Sequence, residues 1–434
     1  MRFRIFYKLV IISLLLIIIS CSEKKQIIKS PASVEQNPGP DYSSTYNPGS
    51  DILHPDFLIY HNSSETSQIN FRLYFRELRF NMANPERKNM ARVRISYVLY
   101  PSYENLSIID SASHTLNVIP SEGSEYFIGA LDIPVQKGNE YVLEVSVQDI
   151  LRGSSGKTYL YIDKRSDFNT QNFKLYSADE MTQLFSPNMF NNKNVNIQFN
   201  RMPGENIKVE HFISPIPFPK APYVIDSIGY PPFTPDRINK VSFRELQNFR
   251  LEEKGLYFFQ LNPSDTAGCL VGYFSPDFPR INKVGQMIAP IKYISSDEAY
   301  LNIIAQTNKK LAIDNFWLRI SGSTDGAREL IRIYYSRALF ANFYFTDITE
   351  GWRTDRGMIY MIFGNPDKIT RLNTEERWSY NRNPRSLNIV FHFKQISSKL
   401  STNIFRLERD SKYKNIWDQA VNSWKSGIPF SFTN

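Results

Sequence analysis

The chain has 434 residues and a formal net charge of +8, and its aromatics, 31 Phe and 25 Tyr against only 19 Gly, point to β-rich folding. That length holds two to four domains. No Lys/Arg-dense stripe accompanies the charge, and Arg2, Arg4 and Lys8 near the N-terminus carry three of the positive charges, which leaves no basis for nucleic-acid binding.

Residues 1–20 have a basic start, 1–8, and an apolar run, 9–19, interrupted only by Ser13. The run is too short to span a bilayer as a stable helix and reads as a signal peptide. It ends Ile18-Ile19-Ser20-Cys21, which resembles a bacterial lipoprotein cleavage box. The resemblance implies that Cys21 becomes the lipidated first residue, so that the membrane is a partner through acyl chains contributing about 0.8 kcal/mol per buried CH₂. Residues 21–50 are rich in Ser, Pro, Asn, Gln and Lys and lack apolar periodicity, the composition of a flexible tether with a reach of roughly 30 Å. Ser22 follows the cysteine and Glu23 stands alone before Lys24 and Lys25, unlike the acid-rich tract of surface-exported Bacteroidetes lipoproteins. The expected place is therefore the outer membrane, with the body in the periplasm.

Residues 51–165 are expected to form an immunoglobulin-like β-sandwich. Ile69, Phe71, Leu73 and Phe75 alternate with polar residues, and so do Val93, Ile95, Tyr97 and Leu99. Period-two alternation buries one face of a strand and wets the other. Further strands are expected over 124–131, 141–148 and 158–162. The Cys…Trp…Cys spacing of antibody domains is missing.

Residues 166–286 read as a second, less regular β-rich domain, with strands over 194–200, 207–213, 255–261 and 268–275. Between them lies 215–235, with prolines at 215, 217, 219, 222, 231, 232 and 235. Such a segment is extended and lies on the surface. It is expected to wrap the sandwich, with a partner-binding edge as the alternative.

From 287 to the C-terminus the character becomes α+β. Ser295 followed by Glu298 predicts a capping box and a helix start. Helices are expected through 309–320 and 324–345, where Leu330, Ile333, Tyr334, Arg337, Ala341 and Tyr344 fall at helical spacing. Strands follow at 377–381, 386–394 and 403–408. A last helix, 415–425, sets Trp417, Val421 and Trp424 on one face for docking onto a sheet.

The chain is organised around residues 351–368, GWRTDRGMIYMIFGNPDK. The six apolar residues 358–363, bounded by Gly357 and Gly364, predict a strand buried on both faces. Asn365-Pro366-Asp367 then stops it. Trp352 is the expected anchor, and Asp355 is expected to cap the loop beside Arg353 or Arg356. Gly351, Trp352, Thr354 and Asp355 match the pattern that names the GWxTD domain, found mainly in lipoproteins of Bacteroidetes-type bacteria, and the chain resembles that family from about Ile288 onward. Arg356 and Gly357, the Gly364, Pro366 and Asp367 of GNPD, Phe316-Trp317 and Trp378-Ser379-Tyr380 extend the resemblance. One departure is visible: residues 318–326 read LRISGSTDG where the family tends to carry a basic, Asp-Pro-containing segment. No defined activity comes with the family.

The chemistry-bearing residues add little. His54, His61, His114, His211 and His392 show no metal-ligand spacing, and no HExxH, CxxC, phosphate loop or GxSxG elbow occurs. No cofactor, metal or catalytic residue is therefore assigned. Cys269 lies in an apolar stretch and reads as a buried small hydrophobe. Asp355, Asp367, Glu375 and Glu376 could supply a carboxylate pair for glycoside chemistry. The expected function is that of an envelope lipoprotein acting as a binding or scaffolding module toward another envelope protein. The alternative is a glycan-binding or weakly glycan-hydrolysing protein with exposed aromatics as platforms.

Overall fold

The computed structural model describes residues 40–49, 53–81, 89–178, 181–186, 194–200, 206–213, 216–225, 233–262, 264–383 and 386–430. The leader, Cys21 and most of the expected tether lie outside the described residues. Residues 41–434 make up one compact unit.

The first β region contains β1 (Asp56–His61), β2 (Thr66–Tyr74), β3 (Ala91–Tyr100), β4 (Asp110–Val118), β5 (Tyr126–Pro134), β6 (Glu140–Asp149) and β7 (Ser155–Asp163). They pair antiparallel in two sheets, ordered β1-β2-β5 and β4-β3-β6-β7. Both sheets share one core: Ile69, Phe71 and Leu73 from one, Val93, Ile95, Tyr97, Leu99, Val145 and Val147 from the other. The alternation read along 69–73 and 93–99 is therefore the core face. Phe75 falls just past β2, in a 3-10 turn.

The second β region repeats that strand order. Its strands are β8 (Phe173–Ser177), β9 (Gln183–Leu184), β10 (Asn194–Phe199), β11 (Asn206–Phe212), β12 (Arg237–Ser242), β13 (Phe249–Arg250), β14 (Gly255–Gln260) and β15 (Cys269–Tyr273). The sheets run β9-β8-β10-β13 and β12-β11-β14-β15. With short β9 set aside, each strand has its counterpart in the first region. One core joins the two sheets, with Phe173, Leu175, Val195 and Ile197 against Ile207, Val209, Tyr257, Phe259 and Val271. The other face of β14 and β15 is also covered: Leu256, Phe258 and Leu270 pack with Ile348, Leu400 and Ile404 of the C-terminal region. Burial on both faces explains why these strands are continuous apolar runs rather than alternating ones.

The C-terminal region carries α1 (Val284–Ile288), α2 (Asp297–Ala305), α3 (Lys309–Ser321), α4 (Thr324–Phe345) and α5 (Asp355–Phe363). These are followed by β16 (Lys368–Arg371), β17 (Glu375–Asn383), β18 (Ser386–Gln395), β19 (Phe405–Leu407) and α6 (Lys414–Lys425). The four strands form one antiparallel sheet in sequence order. Its inner face, with Trp378, Tyr380, Phe391, Phe393 and Phe405, shares a core with α4, α5 and α6.

Several expectations change or gain detail. Residues 358–363 are not a strand: they belong to α5, whose nine residues are all buried. A short apolar run has no periodicity to separate a fully buried helix from a fully buried strand. The start expected at Ser295 is displaced by one residue, since Ser296 is the cap that accepts from the Ala299 N–H. Residues 318–326 are the end of α3 and the start of α4, joined by a turn of only Gly322, left-handed, and Ser323, whose side chain accepts from the Gly326 N–H. The end of the expected tether, 41–47, is packed: Tyr42 and Tyr46 belong to the C-terminal core. Two tyrosines supply enough apolar surface to hold a segment otherwise made of tether-like residues.

Candidate functional site

The GWRTD stretch is a crossing point between α4 and α5. A Cβ on Gly351 would run into the Ala341 carbonyl of α4, and one on Gly357 into the Gly351 carbonyl, so both positions need glycine for close approach. Asn342, buried on α4, fastens the crossing. Its Oδ1 accepts from the Trp352 N–H at 3.2 Å and its Nδ2 donates to the Pro279 carbonyl at 2.8 Å. Thr346 Oγ1 accepts from the Gly351 N–H at 3.0 Å. Thr354, not Asp355, caps α5: its Oγ1 accepts from the Gly357 N–H at 3.0 Å and donates to the Gly351 carbonyl at 2.8 Å.

Trp352 is 2% exposed and packs against Phe218 and Tyr293, with ring centroids at 5.5 and 6.1 Å. The Tyr293 hydroxyl donates to the Trp352 carbonyl at 3.0 Å. Phe218 comes from the proline-rich segment. That segment does not merely wrap the sandwich: the Ile216 carbonyl accepts from Arg353, the Lys220 carbonyl from Arg409, and the Pro222 carbonyl from the Asp410 N–H. Backbone carbonyls left without donors by neighbouring prolines are thus satisfied by the C-terminal region.

Asp355 has 0% exposure and lies in the first turn of α5, where the helix N-terminus favours an anion. Its partner is Arg409, at 2.7 and 3.3 Å to the two carboxylate oxygens, and it accepts from the Leu407 N–H at 3.0 Å. The pairing expected with Arg353 or Arg356 does not form. Arg353 lies over Phe218 and near Glu350. Arg356, 1% exposed, binds Glu376 at 3.1 Å and both the carbonyl and Oδ1 of Asn403 at 2.7 Å. Adjacent residues on a helix point to different sides, so Arg356 does not reach the carboxylate beside it, and Arg353 belongs to the 3-10 turn before the helix.

Glu376 is the centre of the second ion cluster. It has 0% exposure and takes bonds from Arg356, from Arg371 at 3.3 Å, from the Trp378 indole at 3.1 Å and from the Tyr46 hydroxyl at 3.0 Å. Burial alone would raise its pKa, but the two guanidiniums and the two donors outweigh burial and hold it below the usual carboxylate range. Asp347 shows the opposite balance. Burial raises its pKa to about 6 despite Arg406 and Arg356. Its Oδ1 accepts from the Thr349 N–H, and Oδ2 has no hydrogen-bond partner among the described residues.

The other sequence candidates are dispersed. Gly364 ends α5, and its carbonyl accepts from the Tyr380 hydroxyl. Pro366 is buried, and the Asp367 carboxylate accepts from the Asn381 N–H at 2.6 Å. The four carboxylates considered for glycoside chemistry do not converge: Asp355 binds Arg409, Glu376 binds Arg356 and Arg371, Glu375 binds Arg377, and Asp367 binds backbone. The Cys269 thiol is buried, and burial pushes its pKa well up. His61 is a buried ring between Ser67 and the Asp163 carbonyl, and burial lowers its pKa to about 4. Phe316, Trp317, Trp417, Val421 and Trp424 are core residues. Among the described residues, no three His, Cys, Asp or Glu side chains gather closely enough to hold a metal ion. No helix among them is long and apolar enough to cross a membrane.

Sequence reading missed Arg409, Asn342, Tyr46 and Asp347. Arg409 lies far along the chain from Asp355, and nothing local marks the pair. Glu376 did carry a signal: it shares the inward phase of β17 with Trp378 and Tyr380, and an acid in that phase needs a buried cation.

No curated protein matches the chain. Two solved structures, Bacteroides uniformis β-glucuronidase 2 covalently bound to cyclophellitol-6-carboxylate aziridine and Bacteroides uniformis β-glucuronidase, align over 31% and 35% of this chain. The identities are 12% and 10%, with TM-scores of 0.18 and 0.17, and the match covers 15% of each of those chains. The family model of the GWxTD domain matches residues 255–426, from β14 through α6. That span holds the glycine crossing and both ion clusters just described, and the chain is a GWxTD domain-containing protein.

Proposed function

We propose that the chain is a lipid-anchored envelope protein whose body acts as a binding and scaffolding module rather than as a catalyst. The observation that carries this reading is the commitment of the GWxTD groups to internal partners. Trp352, Thr354, Asp355 and Arg356 are buried, and the Thr354 hydroxyl, the Asp355 carboxylate and both terminal nitrogens of Arg356 are bonded within the fold. Charges held this way in low dielectric are stable partners and poor acid–base groups. The domain's role is then to lock three regions together: the second β region packs on it through Leu256, Phe258 and Leu270, and Tyr103 of the first joins its core.

Aromatic burial supports this reading over the glycan-directed one. Stacking platforms need exposed rings, and Phe343, at 45%, is the one aromatic in the exposed class among the described residues. The two β regions, which share a three-plus-four strand order once short β9 is set aside, are read here as immunoglobulin-like sandwiches, a fold that commonly presents binding edges and loops. The anchor is Cys21, and the proposed location is the outer membrane with the body in the periplasm.

Two experiments test the proposal. Replacing Cys21→Ser should move the protein from the membrane to the soluble fraction; unchanged membrane retention with an N-terminus elsewhere sinks the anchor. Cross-linking of intact cells followed by affinity purification should recover a specific envelope protein. Recovery of defined glycan fragments, with release of reducing ends by the purified protein, would overturn the non-catalytic reading.

A further inference from the structure

The buried Arg356–Glu376 pair is closed over by residues from the other end of the compact unit. Residues 41–47 pack beside β16, an edge strand of the C-terminal sheet, with Ser43–Tyr46 in a 3-10 turn. The Tyr42 N–H donates to the Ile369 carbonyl at 2.9 Å, and Asp41 Oδ1 accepts from the Ile369 N–H at 3.0 Å. The Tyr46 ring enters a box formed by Phe345, Tyr344 and Trp378, with centroids at 4.9, 5.5 and 5.7 Å. Its hydroxyl donates to Glu376, and its carbonyl accepts from the Tyr360 hydroxyl at 3.2 Å. Tyr42 packs edge-on against Tyr103 and Tyr159. The segment docks by one backbone bond and one side-chain bond to the edge strand, and its 3-10 turn, Ser43–Tyr46, sets the two tyrosines into separate pockets.

We propose that this seat is an exchangeable binding site for a short polypeptide segment carrying two tyrosines four positions apart, and that residues 41–47 occupy it in cis until a partner protein presents such a segment. The ion cluster beneath the strap is satisfied without it. Arg356, Arg371 and the Trp378 indole still satisfy Glu376 when Tyr46 leaves, so no carboxylate is stranded. The strap's own fit is imperfect. Tyr42 Oη and Thr45 Oγ1 are buried without a hydrogen-bond partner among the described residues, so a segment that satisfies either position competes at an advantage. The strap compensates by being covalently attached, which gives it an effective concentration on the order of millimolar. Weakening the strap therefore raises the apparent affinity for a competitor without altering the seat.

The site deepens the binding-module reading and rests on it, but it is tested on purified protein, so a failed peptide assay and a failed cellular cross-link are separate results. The probe is a fluorescein-labelled peptide of residues 40–48, PDYSSTYNP, titrated with the full chain and followed by anisotropy. The double variant Tyr42→Ala, Tyr46→Ala should bind it at least tenfold more tightly than the wild type. The same peptide with both tyrosines replaced by alanine should not bind. Equal binding by wild type and variant, or no binding by a variant that retains a cooperative melting transition, overturns the proposal. If the double variant does not fold, a protease site inserted after Gly49 replaces it. After cleavage, the N-terminal fragment should co-elute with the body on size exclusion and be released by excess unlabelled peptide. A fragment that stays bound at saturating peptide shows a seat that does not exchange, and also overturns the proposal.

Discussion

The first β region and the GWxTD region bury their interiors by different means. In the first, Ile69 and Phe71 of one sheet meet Val93, Ile95, Val145 and Val147 of the other in an apolar core, and each side chain contributes through its volume and the water it excludes. In the second, aromatic rings surround Asp355, Arg356 and Glu376, three charged groups with at most 1% exposure. Their charges are tolerable only because each has a specific partner. A substitution in the first region is therefore measured by the space it leaves, and one in the second by the partner it leaves behind.

The largest effect is expected where the GWxTD region depends on volume as well. Trp352→Ala removes the ring between Phe218 and Tyr293 and should destabilise the protein by about 3–5 kcal/mol in urea unfolding. A loss below about 1 kcal/mol would mean that Trp352 anchors nothing. Glu376→Gln keeps the shape but strands Arg356 and Arg371, and should cost about 3 kcal/mol. Pairing it with Arg356→Met in a double-mutant cycle sharpens the contrast: strong coupling is expected here.

Asp355→Asn should cost less, about 1–3 kcal/mol, because the amide still accepts from the Leu407 N–H while the charge facing Arg409 is lost. A variant that melts like wild type but fails to complement a deletion strain would break the comparison and point to chemistry at this helix start. In the first β region, Ile95→Val should cost about 0.5–1.5 kcal/mol and add to a distant core substitution without coupling.

The smallest effect has the opposite sign. The native pKa of Asp347 is raised, to about 6, so the native state binds its proton more tightly than the unfolded chain does. The stability it contributes is fully present below the unfolded value and lost as pH rises through about 6. Asp347→Asn removes that loss and should stabilise the protein by about 1 kcal/mol at pH 7.5, with the advantage shrinking toward pH 4. Chemical unfolding of both forms across that range checks the sign.

Legibility followed the same divide. Where one face of a strand is wet, the pattern 69-71-73 or 93-95-97-99 exposes its own orientation, and the helices Thr324–Phe345 and Lys414–Lys425 were readable from helical spacing. Where an element is buried all round, that signal vanishes. The run 358–363 looks the same as helix or strand, and only the Thr354 cap and the crossing with α4 decide for helix. The repeated strand order of the two β regions was invisible for a related reason: β8 and β12 are short, and hydrophobic pattern records burial, not which strand lies beside which.

Local patterning and turn chemistry thus determined by themselves that this chain has β-rich regions followed by an α+β region, and that residues 351–368 sit at its centre. Only the tertiary structure decided the partners. Asp355 binds Arg409, Arg356 binds Glu376, Phe218 of the proline-rich segment covers Trp352, and Tyr46 reaches Glu376 from the start of the compact unit. The physical reason is range: capping and alternation act over a few residues of one backbone, whereas a buried charge is satisfied by whatever group the fold brings within about 3 Å of it, from any distance along the chain.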